Sequence, residues 1–203
     1  MFDSIIFDID GTILDTKYAC MLAIQKALYD LYQQEYSPAE LENTFGIPTK
    51  KAANHFGITD IEQFEMEIDK NYSVFIKQHA ALFPNMLKTL QTLHKKQIPL
   101  GIITSKSRWE YDHDFTYFDL KKYFPISLCT EDTTHHKPHP EPVLTYLKLT
   151  NYKNPLFIGD TIYDLSCAKS AGISFAFAQW SKNHLSEKPD YIFSDPLQVL
   201  DYV

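Results

Sequence analysis

Apolar residues recur along this chain with two different periods, and the change of period marks its parts. Near the start, Ser4-Ile5-Ile6-Phe7 is a short apolar run closed by a polar turn containing Gly11, the pattern of a buried strand that delivers its last residues to a loop. From Lys17 to Gln34 the spacing of Met21, Leu22, Ala27, Leu28, Leu31 and Tyr32 is that of an amphipathic helix. Ser37-Pro38-Ala39-Glu40 supplies a capping box with proline at the first helical position, starting a short helix that Gly46 is expected to end. Pro48 and Thr49 open another, running through Phe56 to Gly57. Asp60, three residues before Gln63, begins a long helix with Phe64, Ile68, Tyr72, Phe75 and Ile76 on one side. Residues 17–80 therefore read as helical throughout, with no strand signal among them.

From Phe83 onward the two periods alternate. Pro84 starts a helix through Leu87, Leu90 and Leu93, and Ile98–Ile103 reads as a strand. There follow a helix over Arg108–Phe118, a strand over Ile126–Leu128, a helix after Pro142, a strand over Leu156–Ile158, a helix to Ala171 and a strand over Ser174–Ala178. Tyr191-Ile192-Phe193 is expected to add a last strand at an edge. Such alternation defines an α/β fold: a Rossmann-like, three-layer α/β/α core built on a parallel sheet. The helical block after the first strand can pack only as a separate small bundle. The expected organisation is a core from residues 1–16 and 81–203, with an inserted α-helical cap domain over 17–80.

Composition narrows the classes of function without choosing one. A chain of 203 residues with 44% apolar and 22% charged residues can bury a core, and its net charge of −7 argues against a nucleic-acid or anionic-membrane surface. No apolar run approaches the ~20 residues of a membrane span. Met1 is followed almost at once by the first strand, which leaves no room for a signal peptide, so a cytoplasmic location is expected. Cys20, Cys129 and Cys167 are odd in number and far apart, as suits reduced packing thiols. Monomer and homodimer are both compatible with this composition.

In open parallel sheets the site lies at the carboxyl ends of the strands, and here those ends are polar. The first strand ends in Asp8, with Asp10 two residues on. Crowded carboxylates repel unless a cation sits between them or one is protonated, and either remedy implies chemistry. The second strand runs into Thr104-Ser105-Lys106, the loop after Leu128 carries His135-His136-Lys137, and the strand at Leu156 ends in Gly159-Asp160, with Asp164 in the first turn of the next helix. Each alone is weak, since a lone Asp-x-Asp is ordinarily a turn or a cap.

Together the four places resemble, in order and spacing, the four motifs of the haloacid dehalogenase (HAD) superfamily of phosphohydrolases. Asp8-Ile9-Asp10-Gly11-Thr12-Ile13-Leu14-Asp15-Thr16 is similar to the first motif in its phosphatase form, where the second Asp argues for phosphoryl transfer rather than dehalogenation. Thr104 after Gly-Ile-Ile resembles the second motif, Lys137-Pro-His-Pro-Glu-Pro142 the third, and Gly159-Asp160-Thr-Ile-Tyr-Asp164 the fourth. The spacing is that of the phosphoglycolate phosphatase-like branch, which carries a C1-type helical cap where residues 17–80 stand.

The resemblance implies that Asp8 attacks phosphorus, that Asp10 gives a proton to the leaving oxygen and later takes one from water, and that Thr104, Ser105 and Lys137 hold the phosphoryl group. It implies Mg²⁺ held by the Asp8 carboxylate, the Asp10 backbone carbonyl and Asp160, with Asp164 close behind. Asp10 must be protonated when substrate binds, so its surroundings are expected to favour the neutral form. The expected partner is a small phosphorylated metabolite such as phosphoglycolate or a sugar phosphate. A phosphomutase resembling β-phosphoglucomutase is the nearest alternative, and a catalytically idle phosphate- or partner-binding protein a more distant one.

Other polar residues carry less. Tyr18, Lys50 and Lys51, with Lys17, Asn54 and His55, are candidates for reading the substrate from the cap. His135, His136 and His139 are not expected to bind a transition metal, because Pro138 and Pro140 stiffen their loop and no Cys or Asp lies at ligand spacing. Lys106 and Arg108 are expected on the surface, and Trp109 in packing. The chain departs from the family in having Ser181 after Trp180, where glycine is frequent.

Overall fold

A strand whose four residues are all buried needs a neighbour on each edge, and β1 (Ser4–Phe7) has both. The computed structural model describes residues 1–44 and 49–203; the helix end expected at Gly46 and the helix start expected at Pro48 lie outside the described residues. In chain order the remaining elements are β2 (Leu14–Asp15), α1 (Lys17–Tyr32), α2 (Pro38–Leu41), α3 (Thr49–His55), α4 (Ile61–His79), β3 (Ala81–Leu82), α5 (Met86–Lys95), β4 (Leu100–Ile103), α6 (Arg108–Tyr117), β5 (Ile126–Leu128), α7 (Glu141–Thr150), β6 (Pro155–Gly159), α8 (Ile162–Ala171), β7 (Ser174–Ala178) and β8 (Tyr191–Phe193). Six strands form a parallel sheet in the order β5-β4-β1-β6-β7-β8. Ile5 lies opposite Leu100 on one side and Leu156 on the other.

Alternation along the strands explains the layers. Ile5 and Phe7 point into one core with Ile102, Met86, Leu90, Leu93, Tyr111 and Phe115, which brings α5 and α6 onto that face. Ile6 points the other way, joining Ile103, Phe157, Phe175, Val143, Tyr146 and Leu165 under α7 and α8. The fold is therefore a Rossmann-like α/β/α sandwich. Each fully buried Ile or Phe of β1 contributes roughly 1.5–3 kcal/mol of burial, which fixes the strand that carries the candidate chemistry.

The chain divides into two compact units, one of Met1–Asp15 with Leu82–Val203 and one of Thr16–Ala81. In the second, α1 packs against α4. α1 buries Ala19, Ala23, Ile24, Ala27 and Leu28, and α4 buries Phe64, Ile68, Tyr72 and Ile76 at helical spacing. Asp60 caps α4 by accepting the Gln63 N–H at 3.1 Å. α1 stops at Tyr32, two residues before the expected Gln34, because Gln33 turns into the left-handed region at φ 53°. The two-stranded β2–β3 ladder is not foreseen in the sequence, since two residues per strand are too few to show a period. Among the described residues, no helix is long and apolar enough to cross a membrane.

Candidate active site

The order β4-β1-β6 sets three strand ends side by side, and each delivers a polar residue. Asp8 follows β1 and is 4% exposed; its N–H is fixed by the Ile158 carbonyl at 2.9 Å. Thr104 follows β4, buried, with its N–H on the Leu128 carbonyl at 3.0 Å and its hydroxyl accepting the Lys106 N–H at 3.2 Å. Ser105 beside it is half-buried. Asp160 follows β6 and is fully buried. Asp164 lies at the third position of α8, whose capping box it completes: its Oδ2 accepts the Thr161 N–H at 3.0 Å and the Thr161 hydroxyl at 2.6 Å. Lys137, also buried, comes from the loop before α7 and binds two of these carboxylates, Asp8 Oδ1 at 2.8 Å and Asp164 Oδ1 at 2.6 Å.

Asp8, Asp160 and Asp164 bring one carboxylate oxygen each to within 4.8 Å of the others. Burial, together with the neighbouring Asp164, pushes the Asp8 carboxyl up to about 7 although Lys137 opposes it. Burial and the charges of Asp8 and Asp164 likewise hold Asp160 well above the usual carboxylate range. Lys137 would be lowered by burial, but Asp164 and Asp8 outweigh that and hold it above the ordinary lysine value. One ammonium among three buried carboxylates leaves negative charge uncompensated. An all-oxygen donor set with excess charge fits a hard divalent cation such as Mg²⁺.

Near Asp10 one residue departs from expectation. Lys106 is not on the surface: it is 3% exposed and lies 3.1 Å from both Asp10 Oδ1 and the buried Asp114 Oδ2. Asp10 thus has a buried lysine ammonium beside it. Lys106 is buried because α6 starts just after it: Ser107 and Glu110 form a capping box that turns the chain back, and Asp114 one turn on meets the lysine. Arg108 is half-buried rather than solvated, its guanidinium held by Ser127 at 2.7 and 3.0 Å and by Asp132. Trp109 remains 43% exposed, stacked on His113 at 5.4 Å, so it packs on its own helix rather than in a core.

The histidine loop holds a donor that the sequence reading omitted. Glu141, neither Cys nor Asp, gathers with His135 and His139 within 4.8 Å. Its oxygens already accept the Thr134 N–H at 2.9 Å and the His135 N–H at 3.0 Å, while its own N–H donates to His139 Nδ1 at 3.2 Å. These atoms clamp the loop that carries Lys137. Thr12 and Asn183 were also missed, and both reach Asp160 through Thr12 Oγ1 at 3.3 Å and Asn183 Nδ2 at 2.6 Å. Thr12 lies within the first motif and so had a signal; Asn183 had none. Tyr18 lies on α1 with its ring edge on His79, and Lys50 and Lys51 are exposed on α3, all in the Thr16–Ala81 unit. Cys129 and Cys167 are buried and Cys20 partly so, and none of the three is in a disulfide.

A parallel sheet with an Asp-rich, lysine-bridged centre at its carboxyl edge defines a class of hydrolase, and the sequence comparisons give the same class. The chain matches the family described as haloacid dehalogenase-like hydrolase over residues 5–178, and it belongs to that family. It is 30% identical to a protein assigned as pyrophosphatase PpaX in Caldanaerobacter subterraneus, across 98% of this chain and 94% of the relative. Pyrophosphatase PpaX of Anoxybacillus flavithermus is 29% identical over 98% and 96%. Among solved structures, a protein assigned as a phosphoglycolate phosphatase in Lactobacillus plantarum superposes with a TM-score of 0.90 at 27% identity, covering 100% of both chains.

Proposed function

We propose that this chain is a Mg²⁺-dependent phosphatase that hydrolyses a small phosphorylated metabolite through an aspartyl phosphate on Asp8. The observation that carries the reading is the Asp8 carboxylate itself, buried at the end of the central strand, 2.8 Å from Lys137 and grouped with Asp160 and Asp164. Asp8, Asp160 and Asp164, with the Asp10 carbonyl that the family resemblance adds, would hold Mg²⁺, which when bound offsets charge on the carboxylates and the phosphoryl oxygens. One Asp8 oxygen forms a bond to phosphorus as the bond from phosphorus to the leaving oxygen breaks; Asp10 supplies the proton which that oxygen takes up. Water then attacks the phosphorus of the aspartyl phosphate, Asp10 takes the water's proton, and Asp8 is released with inorganic phosphate. Lys137 neutralises charge shared by Asp8 and the phosphoryl group, and Thr104 with Ser105 donates to phosphoryl oxygens.

The Thr16–Ala81 unit is assigned the role of a substrate-selecting cap, in which Tyr18, Lys50 and Lys51 read the rest of the substrate. The named relatives put pyrophosphate on the list of substrates to test, next to phosphoglycolate and sugar phosphates. The test is phosphate release from that panel by wild type and Asp8→Asn, with Mg²⁺ and with chelator. Release that needs both Mg²⁺ and Asp8 is expected. Appreciable turnover by Asp8→Asn would remove Asp8 from its role, and interconversion of sugar phosphates with little release would make the protein a mutase.

A further inference from the structure

The loop after β7 touches the acidic cluster at a point that none of the four motifs marks. Trp180 Nε1 donates to the Thr12 carbonyl at 2.9 Å, Thr12 Oγ1 donates to Asp160 Oδ1 at 3.3 Å, and Asn183 Nδ2 donates to Asp160 Oδ2 at 2.6 Å. These bonds close a ring that runs from one loop through the turn after β1 to the end of β6 and back. Gly11 forms a further wall: a Cβ there would lie 2.0 Å from Asp160 Oδ2, so only a bare α-carbon allows the carboxylate its place. Ser181, which stands where the family often has glycine, shapes the turn. Its hydroxyl accepts the Asn183 N–H at 3.2 Å, and Lys182 takes up the left-handed conformation at φ 64° that aims Asn183 inward.

We infer that Asn183 is a positioning residue for Asp160, setting the orientation in which that carboxylate meets the divalent cation. The inference rests on the reading of Asp160 as a Mg²⁺ ligand. A carboxylate can turn about its Cβ–Cγ bond, and one that turns ligates poorly. Here both oxygens are held, each by a neutral donor, so the group is fixed without losing the negative charge that a cation seeks. Lysine in place of Asn183 would fix it equally well but would compete with the metal for the same charge. Hydrogen bonds to a ligating carboxylate typically govern metal affinity by 10–100-fold.

Mn²⁺ binding to chelator-treated protein, followed by electron paramagnetic resonance, tests this without turnover. Wild type, Asn183→Leu and Asp160→Asn would be compared, with melting temperatures recorded in chelator and in Mg²⁺. Asn183→Leu is expected to weaken Mn²⁺ binding about tenfold or more. The Mg²⁺ needed for half-maximal phosphate release should rise by the same factor, while KM for substrate at saturating Mg²⁺ stays unchanged. Asn183→Ser, a smaller change, is expected to shift Mn²⁺ affinity in the same direction and serves if the leucine variant does not fold. Wild-type affinity in the variants, with or without a lower melting temperature, would make Asn183 a mere loop anchor and overturn the inference alone. Absence of Mn²⁺ binding to wild type, or its retention in Asp160→Asn, would overturn the metal reading and this inference with it.

Discussion

Lys106 stands between two serines and two residues before an arginine, a setting that reads as surface, yet it bridges two carboxylates inside the core unit. Removing one partner of a buried ion pair strands the other, at a cost of about 3–5 kcal/mol. Lys106→Met is therefore expected to lower stability by about 3 kcal/mol in urea unfolding, and by less in an Asp114→Asn background where one stranded charge is already gone. Equal losses in both backgrounds would mean that the lysine acts through something other than Asp114. That Asp8, Asp160 and Asp164 lie near one another was legible because each sits at a strand end or a helix start, and the nearness of Lys137 was legible from its motif alone. Thr12 had its motif as a signal but its bond to Asp160, 148 residues away, had none, and Lys106 and Asn183 had no signal at all. Hydrophobic period says which face a residue takes, and nothing about whom a buried polar side chain meets.

At the scale of elements, strands β5, β7 and β8 lie where alternation placed them, because branched and aromatic residues between polar turns leave little room for another register. Helix ends were less legible, depending as they do on single residues such as Gln33 that adopt left-handed conformations without being glycine. The seam between β4 and α7 shows how tightly the layers fit. A Cβ on Gly101 would fall 2.2 Å from the Tyr146 ring, itself 1% exposed and unable to swing away. Gly101→Ala is expected to destabilise by about 1–3 kcal/mol, as overpacking does, read as a lower urea midpoint. Unchanged stability would mean that α7 can shift outward on the sheet. Such a shift would move the loop that carries Lys137, so in that case phosphate release is expected to fall instead.

For the molecule as a whole, burial of its thiols sets an alkaline limit. Burial pushes Cys129 and Cys167 from 9.0 up to about 12, and Tyr146 from 10.0 up to about 12. The folded state thus keeps protons that the unfolded chain gives up, so this stability is fully present below pH 9 and is lost as pH rises toward 12. Urea midpoints measured between pH 8 and pH 11 should fall less steeply in a Cys129→Ala, Cys167→Ala variant than in wild type, and parallel falls would count against the thiols as the cause. The sheet order has another consequence, for synthesis. The central strand leaves the ribosome before both its neighbours, and Ile5 must wait for Leu100 and then Leu156 before both its edges are covered. At roughly 5–20 residues per second the second wait lasts on the order of ten seconds or more. During that time the apolar strand bearing Asp8 is exposed, a nascent segment on which a chaperone has time to act.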